Sequence, residues 1–137
     1  MTVSASCTLT ADPLAFGTVT LLTADIAATG NLTVDCTQGT VYTIALDNGL
    51  GAAATSATRL MTKPAGTPAG SPVGLAAYSI YKDVAHANVW GNAGTELYTS
   101  PAGATGVAEV IPFYALAIRQ SVPAGAYTDT VTATITY

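Results

Sequence analysis

Charge is scarce in this sequence. Lys, Arg, Asp and Glu together make up 9% of the 137 residues, against about 25% in an average soluble domain. Much of the surface must therefore be uncharged Thr, Ser, Ala and Gly. That suits a chain packed among neighbours better than a freely diffusing enzyme. The four basic residues, Arg59, Lys63, Lys82 and Arg119, are scattered, and the formal net charge is −4. Such a chain cannot build a phosphate-tracking surface, so nucleic acid is not an expected partner. Long apolar runs are missing too: no stretch approaches the roughly 18 residues of a membrane-spanning helix. The chain opens Met1-Thr2-Val3-Ser4 without a leader pattern. A secreted reading therefore expects that a signal peptide has been removed.

Cysteine is limited to Cys7 and Cys36, and histidine to His86. Two cysteines without a third, and not in CxxC spacing, make a poor metal or redox site. A structural disulfide is the simplest reading and implies an oxidising compartment. Closing a loop of this size contributes about 3–4 kcal/mol in the chain-entropy view. The alternative is a cytoplasmic protein with two free thiols.

Catalytic patterns are absent as well. There is no Gly-x-Ser-x-Gly, no Gly-x-Gly-x-x-Gly and no phosphate loop. His86 lies beside an expected turn after Lys82-Asp83, with no oriented partner that would make it a general base. The acids Asp12, Asp25, Asp35, Asp47, Asp83, Glu96, Glu109 and Asp129 fall mostly in turns or on polar strand faces. No enzyme activity, metal or cofactor is expected. Trp90, in Asn88-Val89-Trp90-Gly91, is read as a core or loop-anchoring residue, with a sugar-stacking platform as its alternative.

What the sequence has in abundance is period-two alternation. Val3, Ala5, Cys7 and Leu9 share one face, with Thr2, Ser4, Ser6, Thr8 and Thr10 opposite. Leu32, Val34 and Cys36 share another face, so both cysteines point to the apolar side of their strands and can meet in the core. Tyr42, Ile44 and Leu46 align, as do Ala76, Tyr78 and Ile80. Gly106–Arg119 aligns Val110, Tyr114, Leu116 and Ile118, and Pro112 within it predicts a bulge or an edge. The last run alternates Val131, Ala133, Ile135 and Tyr137 with Thr130, Thr132, Thr134 and Thr136. Turn-formers separate the runs: Asp47-Asn48-Gly49, Lys63-Pro64-Ala65-Gly66 and Pro123-Ala124-Gly125. Gly49–Ser71 is expected to be a long, mobile loop with a short strand at Arg59–Thr62. About seven or eight short strands in one domain over residues 1–137 read as a β-sandwich.

The order of these segments carries a resemblance. Cys7 and Pro13-Leu14-Ala15-Phe16-Gly17-Thr18 come first, then Leu32-Thr33-Val34-Asp35-Cys36-Thr37 and Tyr42–Gly49. Arg59-Leu60-Met61, Tyr78–Asp83, Val89-Trp90-Gly91 and Val122–Val131 follow. The chain resembles the spore coat protein U family, which includes subunits of archaic chaperone–usher pili. The resemblance implies an immunoglobulin-like sandwich lacking its final strand, completed by a donor strand in trans. It implies neighbouring pilin subunits, a periplasmic chaperone and an outer-membrane usher as partners. It implies a periplasmic and then cell-surface location, and a role in adhesion or biofilm formation.

The expected acceptor groove lies between the first and last strands, lined or flanked by Val3, Ala5, Leu9, Val131, Ala133, Ile135 and Tyr137, with Cys7 and Cys36 fastening the first strand. In the family a donor segment precedes the first cysteine strand. Only Met1–Ser6 stand there in this sequence, so that segment is expected to be absent or trimmed. The rival reading is a carbohydrate-binding module or adhesin tip, with Trp90, Tyr81 and Tyr98 as its aromatic surface.

Overall fold

The computed structural model describes residues 1–137, and nearly all of its regular structure is strand. In chain order the strands are β1 (Cys7–Ala11), β2 (Ile26–Cys36), β3 (Thr43–Leu46), β4 (Arg59–Lys63), β5 (Gly74–Tyr81), β6 (Tyr98–Thr99), β7 (Glu109–Ala117) and β8 (Ala133–Thr136). One 3-10 turn, Gly94–Glu96, precedes β6. Five strands form one sheet in the order β1-β2-β7-β5-β4, and three form the other in the order β6-β3-β8. All pairings are antiparallel.

The alternating runs set which side chains lie between the sheets. Leu32, Val34 and Cys36 of β2, Tyr78 and Ile80 of β5, and Tyr42, Ile44 and Leu46 in and beside β3 are buried in one continuous core. In β7 the inner face is Ile111, Phe113, Ala115 and Ala117. The Val110, Tyr114, Leu116, Ile118 face points outward, with Val110 and Ile118 exposed. Both faces of β7 are apolar, so alternation alone cannot choose between them. Pro112 pairs with Asn31 of β2, while the β5 ladder stops at Tyr81↔Tyr114. Pro112 therefore lies where β7 has become an edge on that side, which is where proline is tolerated. Gly30, opposite Phe113 in the β2–β7 ladder, lies under the Phe113 ring, and a β-carbon there would overlap it.

Two of the four cations are wholly buried, at the two ends of β4. Arg59 donates to the carbonyls of Asp47 (2.9 Å), Ser56 (2.9 Å), Trp90 (2.8 Å) and Leu46 (3.4 Å). Lys63 Nζ donates to the carbonyls of Pro64 (3.1 Å) and Pro72 (2.5 Å) and to Ser71 Oγ (2.9 Å). A buried cation persists only when its donors are satisfied. These two gather otherwise irregular carbonyls, so Gly49–Ser71 is built around β4 rather than being an unstructured excursion. Burial pulls the Arg59 pKa down from its usual value. Trp90, also wholly buried, ties the sheets together. Its indole N–H donates to Ile44 C=O at 3.0 Å and its backbone N–H to Ile80 C=O at 2.9 Å.

Candidate functional site

The sandwich is not closed beside β8. This strand pairs only with β3, through Thr43↔Thr136, Ile44↔Ile135, Ala45↔Thr134 and Leu46↔Ala133. The Asp47 N–H donates to Thr132 C=O at 3.0 Å. Backbone groups of successive residues in an antiparallel strand point to opposite edges. Thr132, Thr134 and Thr136 therefore turn theirs toward β3. Ala133 and Ile135 turn theirs to the free edge. The side chains of Val131, Ala133 and Ile135 are only half-buried against the core.

Across from this edge runs the chain that leaves β1. Asp12 N–H still reaches Asn31 C=O at 2.9 Å, but from Pro13 to Val19 the backbone makes no hydrogen bond within the chain. Leu14 and Phe16 from this segment lean on the core, and the Phe16 ring meets Tyr78 edge-on at 5.8 Å. Between the two walls lies a cleft of about 400 Å³, floored by Leu32, Phe113, Ile80, Tyr78, Met61 and Leu46. Most of its lining is apolar. An apolar trough between two unpaired backbones can accept one more extended strand.

Two aspartates order the chain as it enters β8, and one of them, Asp129, lines the cleft. Asp47 Oδ1 accepts from Gly49 N–H and Thr132 N–H, both at 2.9 Å. Asp129 accepts from Leu50 N–H (2.7 Å), Thr130 N–H (2.8 Å) and the Tyr78 hydroxyl (2.7 Å). Gly49 has a φ of +79°, and a β-carbon there would strike the Asp129 carboxyl, so this turn requires glycine. Burial, helped by Asp129, pushes the Tyr78 phenol well above its ordinary pKa. Thr128 pairs with Thr62 of β4 just before the chain crosses to the other sheet as β8.

Of the residues expected at the groove, Val131 and Ala133 line the cleft, and Leu9 and Ile135 pack on the core beside it. Cys7 and Cys36 are direct partners in the β1–β2 ladder and are joined by a disulfide, S–S 2.00 Å. Val3 and Ala5 do not line the cleft. They precede the ladder in exposed chain, where Ser6 N–H and O and Ser4 O meet Thr37. Tyr137, 57% exposed, also stays out of it. Sequence reasoning missed Leu14, Phe16, Met61, Phe113 and Tyr127 as cleft residues. Pro13-Leu14-Ala15-Phe16-Gly17 did carry a signal, an apolar pair two residues apart just after a strand.

The aromatic surface of the rival reading does not assemble. Trp90 has no exposed surface and stacks on half-buried Tyr98 at 5.6 Å, within the core. Tyr81 belongs to the outer face of β5, where His86 packs on it at 5.2 Å. No three His, Cys, Asp or Glu side chains cluster to hold a metal ion, and no helix is long and apolar enough to cross a membrane.

Among known proteins, the Spore Coat Protein U domain matches residues 1–134. The chain belongs to the spore coat protein U domain family. Protein U of Myxococcus xanthus is 36% identical to this spore coat U domain over 119 residues, which is 82% of this chain and 62% of that protein. The domain thus spans somewhat less than two thirds of that relative. One solved structure is the chaperone–tip adhesion subunit pre-assembly complex CsuC–CsuE from the archaic chaperone–usher Csu pili of Acinetobacter baumannii. A chain of it superposes on 99% of this spore coat U domain, with a TM-score of 0.71 and 22% identity, the match covering 41% of that chain. At this identity the likeness establishes the sandwich fold.

Proposed function

We propose that this spore coat U domain is a structural subunit of a secreted surface fibre, assembled by donor-strand complementation on a chaperone–usher route. One observation carries the reading. The free edge of β8 faces the unpaired Pro13–Val19 backbone across an apolar cleft. An added strand would pair with Ala133 and Ile135 and lay its own apolar side chains on Phe113, Ile80 and Met61. Each such side chain is worth about 1.5–3 kcal/mol when fully buried. The similarity to a chain of a chaperone–subunit complex supports a chaperone as the first strand donor and a neighbouring subunit as the second. An outer-membrane usher, passage through the periplasm to the cell surface and a part in adhesion or biofilm formation complete the proposal. The disulfide suits that oxidising route. The side chains around the cleft hold and pack a strand, and the subunit is not an enzyme.

The test is thermal unfolding of the disulfide-bonded chain, alone and with a strand peptide that copies the donor segment of a related subunit. A second form fuses that strand after Tyr137. The complemented forms should melt well above the free chain. A chain that is monomeric, highly stable and unmoved by any strand or chaperone would overturn the reading.

A further inference from the structure

We propose that Met61 is a redox-sensitive modification site: its conversion to methionine sulfoxide opposes strand entry into the cleft, and a seated strand shields it. The inference rests on the strand-complementation reading and adds a means of regulating it. Both cysteines are tied in the disulfide and no thiol is free, so the thioethers of Met1 and Met61 are the sulfurs open to a two-electron oxidant. Met1 stands fully exposed at the chain start. Met61 is half-buried, opposite Ala76 in the β4–β5 ladder, and forms part of the cleft floor. Arg59 and Lys63, the wholly buried cations on the same face of β4, anchor both ends of that strand. Position 61 is thereby held toward the cleft.

The oxidant is a peroxide. The sulfur lone pair attacks one peroxide oxygen, the O–O bond breaks, and the departing hydroxide takes that oxygen's proton and leaves as water. Sulfur is oxidised and peroxide is reduced. A flexible apolar side chain becomes a polar one. In the open cleft, water can solvate the new S=O group. A seated strand would instead enclose it in a cleft floored by Leu46, Ile80, Tyr78 and Phe113. The two phenol hydroxyls of the lining are already committed. Tyr78 donates to Asp129 at 2.7 Å and Tyr127 to Pro123 C=O at 2.6 Å. Enclosing a polar atom without a partner is costly, so oxidation weakens the complemented state more than the free one. The same geometry works in reverse, because a strand lying on Met61 keeps the oxidant away. Enzymatic reduction of the sulfoxide restores the thioether.

The experiment uses the full disulfide-bonded chain, hydrogen peroxide and a methionine-free peptide that is apolar at every second residue. Oxidation of Met1 and of Met61 is followed separately by mass spectrometry of proteolytic fragments. In the free chain both should convert. With saturating peptide, Met1 should still convert and Met61 should not. The Met61 sulfoxide form should bind the peptide roughly tenfold or more weakly, and methionine sulfoxide reductase should restore binding. Met61→Leu removes the thioether, so its affinity, whatever the starting value, should be the same before and after peroxide. Met61→Gln, polar without any oxidant, should bind as weakly as the sulfoxide form. Equal rates of Met61 oxidation with and without peptide, or equal binding by the thioether and sulfoxide forms, would overturn the inference and leave strand complementation standing. Failure of the unoxidised chain to bind the peptide would overturn both.

Discussion

The two flanks of this sandwich are built from the same kind of sequence and end in opposite states. On the closed flank, Trp90, Ile44, Tyr42 and Ala115 are at most 1% exposed, and polar atoms are partnered across the sheets. On the open flank, Leu9, Leu14, Phe16, Val131, Ala133 and Ile135 lean on the core without being covered by it. Alternation is as regular in Val131–Tyr137 as in Tyr42–Leu46. The difference lies in what sits opposite: β3 has a hydrogen-bonded neighbour on each side, and β8 has one. Burial follows the number of neighbours, so the open flank carries cohesion that the chain alone does not use.

Breaking the closed flank should cost most. Trp90→Ala removes the largest fully buried side chain and the indole hydrogen bond to Ile44 C=O, so we expect a loss of about 3–5 kcal/mol in denaturant unfolding. The loss should be the same with or without a bound strand, because Trp90 does not line the cleft. A loss that depends on the strand would erase the distinction between the flanks. Replacing Cys7 and Cys36 together by Ala should cost about 2–5 kcal/mol. Comparison with the reduced wild type checks that the bond, rather than the sulfur atoms, is responsible.

The open flank should respond in the other order. Ile135→Thr removes apolar surface that is only half-buried in the free chain, so its melting should shift by about 1 kcal/mol or less. Once a strand covers Ile135, the same substitution should cost more, read as a smaller shift in melting temperature on adding peptide. Equal losses in the two states would mean that the flank is already closed.

The smallest effect is electrostatic and draws on both flanks. Hydrogen bonds from Thr105, then from the Tyr42 hydroxyl, hold the Glu109 carboxylate below its usual range. A depressed folded pKa contributes stability above the unfolded value, about 4.3, that is lost as pH falls through the folded one. Burial raises the Tyr42 and Tyr78 phenols, so their contribution is present below about pH 10 and lost as pH rises beyond it. Stability against pH should thus decline at both ends, and Glu109→Gln should make the acid limb shallower. An unchanged acid limb in that variant would remove Glu109 from the account.

The readable parts of the fold were those where one face is apolar and the other is not. Leu32-Val34-Cys36 and Tyr42-Ile44-Leu46 announce their inner faces because Thr33, Asp35 and Thr43 cannot be one. The paired cysteines followed from the same phase. In β7 both faces are apolar, and the inner one is decided by small residues, Ala115 and Ala117, that admit the facing sheet. Alternation also does not say where a ladder starts. Val3 and Ala5 keep the phase of Cys7 and Leu9 but precede the first pairing. The interior positions of Arg59 and Lys63 left no trace in pattern. Arg59 is met by carbonyls from as far along the chain as Leu46 and Trp90, and Lys63 by Pro64, Ser71 and Pro72 of the loop that follows it, and only the folded chain brings these groups around them. The cleft was half visible: its β8 wall came from Val131–Tyr137, while its other wall is an irregular segment that periodicity cannot describe.

The disulfide has a mechanical meaning. It joins the first residue of β1 to the last residue of β2, two positions that face each other across the ladder. Tension applied at the N-terminal segment would ordinarily peel an edge strand one hydrogen bond at a time. Here the pull reaches Cys7 and passes through a covalent link into β2, which is bonded along its length to β7. The load bypasses the weakest seam of the sheet and enters the sandwich through its centre. Reduced protein should therefore yield at lower force than oxidised protein when pulled from that end in a single-molecule stretching experiment.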